Sequence, residues 1–209
     1  SARYTNCFYQ DYLCERFGQD FIGRIWRESI NPEDPVDAMK RMENLSHEDF
    51  SALMYDCFAH MCTWDVESIR SRAKHRHGAH GNHLQPVTVD GAEWYQVSAD
   101  RCPENYGYNI TRLNVPAAGT EVTVRFQGLA GAEGYRKVNV GKAGWRWGLV
   151  AKREDGTTVY GDMQSAKEGE AKFTVPEGCT DLWLVVMGCP TEWWHHAWDD
   201  NADNDEQWP

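Results

Sequence analysis

The hydrophobic period of this chain changes once, near residue 84, and that change limits the folds open to it. Before it, apolar residues recur every three to four positions, the spacing of one face of a helix. After it, short apolar or alternating runs follow one another with only turn residues between them. The pattern predicts an α+β chain: a helical segment at 1–83, packed on an antiparallel, jelly-roll-like β-sandwich at 84–209.

In the helical part, Tyr4, Phe8 and Tyr12 share one helical line, Tyr9, Leu13 and Phe17 share the next, and Gly18 suits the residue past the helix end. Asp20 is placed to cap a second helix that is expected to bury Phe21, Ile22, Ile25 and Trp26 before Asn31-Pro32 ends it. Asp34-Pro35 starts a third, with proline at the first helical position, where its missing N–H costs nothing. Ser46 followed by Asp49 reads as a capping box ahead of Phe50, Leu53, Met54, Cys57, Phe58 and Met61. Asp65 can cap a last short helix that runs to Lys74.

In the second part, strands are expected at 84–89, 94–98, 106–114, 121–128, 145–153, 157–160, 170–175 and 181–187. The separators are turn-forming: Asp90-Gly91, Pro116 to Gly119, Asp155-Gly156 and Pro176 to Gly178. The mixed, glycine-rich stretch 131–144 is the expected long loop.

Charge narrows the partners. A formal net charge of -11 argues against a nucleic-acid partner, because phosphate binding rests on clustered Lys and Arg. No apolar run approaches the ~20 residues that cross a bilayer, so no transmembrane segment is expected. The start, SARYTNCFYQ, lacks the basic and apolar regions of a signal peptide.

The 7 cysteines cannot all pair within one chain. Cys57 and Cys62, on one helix, would sit roughly 8 to 9 Å apart, beyond disulfide reach. An extended strand keeps Cys179 from Cys189 by roughly 30 Å. Buried free thiols are the expectation, and the redox compartment stays open.

Metal-capable groups occur without a complete motif. His75, His77, His80 and His83 crowd the linker, but a glycine-containing linker does not hold ligands in place as a specific site requires. His47-Glu48 lacks the second histidine of a zinc-protease helix, since residue 51 is Ser51. Cys57, His60 and Cys62 lie on an apolar helix, where packing is the expected role. No G-x-S-x-G elbow, phosphate loop or GxGxxG fingerprint is found.

The tail after the last strand is the candidate binding region. Trp193, Trp194, Trp198 and Trp208 beside acids could stack on a sugar ring, giving a glycan or glycoprotein partner; alternatively they plug the open end of the sandwich or seat it against the helices. Asp199, Asp200, Asp203 and Asp205 supply closely spaced oxygens of the kind calcium takes, without the glycine and glutamate of an EF-hand.

The stretches YLCERFGQDFIGRIWRESINPEDPV, MYDCFAHMCTWDV, CPENYGYNITRLNVPAAGTEV, LWLVVMGCPTEWW and DEQWP resemble the C-terminal part of a family of large proteins of unknown function from gut Bacteroidetes, itself similar to gluzincin-type zinc metallopeptidases. The resemblance implies a secreted, periplasmic or surface protein whose zinc site and HExxH helix lie upstream of residue 1. Residues 1–83 would then end a peptidase-like domain and keep that upstream portion as a partner. No catalytic residue carries over: Glu28 is the one acid to consider, and it reads as a surface helix residue. The resulting expectation is a noncatalytic portion of a metallopeptidase-like protein, inactive alone and without a cofactor of its own. A carbohydrate-binding sandwich module and a structural interaction domain are the alternatives.

Overall fold

The computed structural model describes residues 7–73, 84–195, 201 and 205–209. It is α+β, with helices first and antiparallel sheets after them. The chain divides into two compact units, Ser1–His77 and Gly78–Pro209.

The first unit holds α1 (Cys7–Phe17), α2 (Phe21–Glu28), α3 (Pro35–Met42), α4 (His47–Thr63) and α5 (Glu67–Ala73). Gly18 takes φ 104 and its N–H closes α1 on the Cys14 carbonyl, which a side chain bearing Cβ would do only under strain. The two reciprocal capping boxes form as the residue types dictate, Asp34 with Asp37 on α3 and Ser46 with Asp49 on α4. Asp20 holds the N-cap position of α2, but its side chain caps nothing there and lies 3.8 Å from Arg27; of the apolar residues expected inside on this helix, Phe21 and Ile25 are buried, whereas Trp26 is exposed. At α5 the first-turn N–H of Ser68 is taken by Glu15 from α1, while Asp65 pairs with Arg70. α4 is buried almost all round, with Phe50, Leu53, Cys57, Phe58, Met61 and Cys62 inside.

The second unit holds β1 (Leu84–Val89), β2 (Ala92–Val97), β3 (Tyr108–Leu113), β4 (Glu121–Gln127), β5 (Trp145–Arg153), β6 (Thr158–Tyr160), β7 (Gln164–Ser165), β8 (Glu168–Thr174) and β9 (Cys179–Gly188). One sheet runs β3-β9-β5-β6, with β7 also on β5. β4 and β8 pair as a second sheet, and β1 with β2 forms a separate ribbon. Asp90 and Gly91, at φ 51 and 79, make the tight turn of that ribbon. The third strand starts two residues later than its sequence suggests, because Tyr106 sits at φ 53 and cannot extend a strand.

The sandwich core lies between the larger sheet and the β4–β8 pair. Trp145, Trp147, Leu149 and Ala151 of β5 and Leu182 of β9 meet Ala171 and Phe173 of β8, with Phe126 of β4 stacked on Trp147 at 5.0 Å. The outer side of β4–β8 is polar and cross-linked by Arg125–Glu170 and Lys172–Glu121. Every residue of 145–151 is buried, including Arg146, whose Nε donates to Cys189 Sγ and whose Nη1 donates to Met163 Sδ. Cys14, Cys57, Cys62, Cys102, Cys179 and Cys189 are free thiols. No helix among the described residues is long and apolar enough to cross a membrane.

Candidate functional site

The tail separates into parts with different environments. Trp208 is 1% exposed and belongs to the sandwich core, its ring edge-on to Trp145 at 6.4 Å. Gly188 makes the room: a Cβ there would lie 2.3 Å from Trp208 Cδ1. The Trp208 indole N–H donates to Asn105 Oδ1 at 2.7 Å and its backbone N–H to the Pro103 carbonyl at 3.0 Å. Its carbonyl accepts from Trp145 Nε1 at 3.2 Å.

The neighbours of Trp208 are equally tied. Leu129 N–H donates to the Pro209 carbonyl at 2.7 Å. Gln207 bridges two loops, accepting from Arg136 N–H at 2.8 Å and donating to the Ala99 carbonyl at 2.7 Å. The Glu206 carboxylate, 1% exposed, accepts from Asn139 Nδ2 at 3.1 Å. Beneath them, burial pushes the Cys102 thiol up to about 12, so it stays protonated at neutral pH.

Trp193 and Trp194 are half-buried. The Trp193 ring packs against Tyr106 at 5.5 Å. Trp194 leans on the core and carries Lys142 Nζ 5.2 Å from its ring centre, with Lys142 also paired to Glu192 at 2.5 Å. A sugar ring could reach only the parts of these rings left open by those contacts. Asp205 is half-buried beside Glu206. Trp198, Asp199, Asp200 and Asp203 lie outside the described residues, as does the histidine-rich linker 74–83.

The helical unit holds a polar cluster that spacing on a single helix cannot reveal. Tyr12 of α1 donates its hydroxyl to the Asp56 carboxylate of α4, which also lies 3.7 Å from Arg16 Nη2. His60 Nδ1 is 2.9 Å from the Asp56 carbonyl and therefore carries its proton on that nitrogen. Burial first, and then the bond to Asp56, hold the Tyr12 hydroxyl far above the ordinary tyrosine range. Burial likewise raises the Cys57 thiol, with Asp56 adding to it, so a ready thiolate is disfavoured there. Glu28 is exposed and sits 3.6 Å from Arg24, a surface helix pair. The helical signal for the cluster was present in the apolar lines through Tyr12 and Cys57, but the pairing crosses 44 residues.

Comparison with known proteins adds the family. The profile of the DUF6055 family of unknown function matches residues 1–209. The chain belongs to that family. No curated protein and no solved structure matches this DUF6055 chain.

Proposed function

We propose that this DUF6055 chain is a noncatalytic portion of a secreted or surface metallopeptidase-like protein, its sandwich serving as a structural accessory to a zinc domain encoded upstream. The observation that supports the reading best is the fate of Trp208 and Glu206: groups that could face a ligand are buried in the sandwich's own core. The peptidase part rests on the sequence resemblance, and the zinc would belong to that upstream part. The test compares two proteins, the present chain and a longer one that includes the preceding coding sequence. Chelator-sensitive peptide cleavage with stoichiometric zinc is expected of the longer protein alone; cleavage by the present chain, or a longer protein that binds no zinc, overturns the reading.

The half-buried Trp193 and Trp194, beside the Lys142–Glu192 pair, favour a second reading in which the sandwich binds a glycan. Glycan-array binding that a Trp193→Ala, Trp194→Ala double variant abolishes is the result expected on that reading. Retention of binding by the double variant removes this surface from it.

A further inference from the structure

Four consecutive residues at the end of the tail are held as a recognised peptide is held, by backbone and side chain together. Glu206, Gln207, Trp208 and Pro209 are hydrogen-bonded to the sandwich at residues 99–105 on one side and 129–145 on the other. Each residue is read by its own chemistry. Glu206 enters a buried position facing the Asn139 amide. The Gln207 amide both accepts and donates, from Arg136 N–H and to the Ala99 carbonyl, which neither a carboxylate nor an aliphatic side chain can do. Trp208 fills a pocket shaped by Gly188 and Trp145, with Asn105 placed for its indole N–H. Pro209 is buried, with its carbonyl accepting from Leu129.

We infer that the cleft between residues 99–105 and 129–145 is a peptide-binding site specific for a Glu-Gln-Trp-Pro segment, filled here by the chain's own tail and open to the same segment of a second copy. An aromatic anchor in a fitted pocket, with polar groups fixing the residues on either side, is how peptide grooves obtain affinity and selectivity. The inference is independent of any zinc domain upstream.

The experiment uses the full chain with a site-specific protease sequence inserted after Asn201, folded first and cut afterwards. A fluorescent peptide spanning residues 205–209 is then titrated into cut and uncut protein and followed by anisotropy. The cut chain is expected to bind it one to one, and unlabelled peptide to compete. Peptides carrying Trp208→Ala or Gln207→Glu should bind at least about tenfold more weakly, the ratio that 1.4 kcal/mol represents. In the uncut chain the tethered tail competes at an effective concentration on the order of millimolar, so the labelled peptide should bind far more weakly there. Alkylation of Cys102, mapped by mass spectrometry, should increase when the cut tail is washed away and fall again when peptide is added. Failure of the cut chain to take up peptide, equal binding by cut and uncut protein, or indifference to the Trp208 and Gln207 changes overturns the inference. Collapse of the sandwich on cutting also overturns it, because the tail would then be an inseparable part of the core.

Discussion

Tryptophan 208 and glycine 188 form one packing unit, and each explains the other. The indole occupies the space that a Cβ at position 188 would take, 2.3 Å from Trp208 Cδ1. The nearest obstruction on the other side is the Glu104 carbonyl at 2.9 Å, so a methyl group has no flexible neighbour to push away. Trp208→Ala is expected to lower stability by about 3 to 5 kcal/mol through the cavity it leaves. Gly188→Ala should cost about 1 to 3 kcal/mol by overpacking. Because both act on the same indole, the double variant should fall short of the sum, and a double-mutant cycle from urea unfolding of the full chain measures the shortfall. Additive losses would mean that the two residues do not share this contact. The tryptophan-rich tail was conspicuous in the sequence, but the destination of Trp208 was not legible there. Its partners Pro103, Asn105 and Trp145 lie 63 to 105 residues away, and hydrophobic period carries no information over that separation.

Local chemistry at the helix ends was legible, because a cap joins residues three apart. Ser46 with Asp49 forms the box its residue types suggest, and Asp34-Pro35 starts α3 as expected, with Asp37 completing a second box there. Ser46→Ala should therefore cost about 1 kcal/mol, read as a shift in the urea midpoint of the helical signal at constant slope. Asp20 had an equally suitable residue type, yet it holds the N-cap position of α2 without a side-chain cap bond, and at α5 a long-range partner, Glu15 of α1, takes the Ser68 N–H. The two-residue strand β7 is too short to show alternation, and Tyr106 turns left-handed where its aromatic neighbours suggest a strand. Helix packing also sets an alkaline limit. Burial raises the hydroxyls of Tyr12 and Tyr55, so the folded unit holds protons that the unfolded chain releases above a pH of about 10. The stabilisation is complete below the unfolded tyrosine value and declines as pH rises above it, since the unfolded state then binds fewer protons. Denaturation midpoints followed by far-ultraviolet circular dichroism should thus fall as pH is raised from about 9 to about 11. Tyr12→Phe, though less stable at neutral pH with Asp56 deprived of its donor, should show a shallower fall. An unchanged slope in that variant would assign the alkaline limit to other groups.

At the scale of the whole molecule, charge is the property the sequence fixes most directly and the fold alters least. With 32 acids against 21 Lys and Arg, the net charge of -11 opposes compaction at every separation shorter than the screening length. Exposed pairs such as Arg125–Glu170 and Lys172–Glu121 weaken in salt, but pairs of this kind contribute little to stability even without it. Relief of the net repulsion should therefore dominate, and the melting temperature should rise as sodium chloride is increased from low ionic strength. For a chain of this length each kcal/mol corresponds to about 2 to 4 °C. A fall with added salt would mean that the ion pairs, not the net charge, govern the response. Calcium at matched ionic strength separates screening from ligation. Screening alone gives the sodium curve at equal ionic strength. Ligation by Asp199, Asp200, Asp203 and Asp205 gives an additional rise, reversed by chelator and absent in Asp203→Asn with Asp205→Asn, because an ion bound only by the native state stabilises it by mass action. Such a rise would act through Asp205 on the adjoining Glu206 and Trp208, so it should also slow the release of a cut tail. An additional rise that survives the double substitution would place the ion elsewhere.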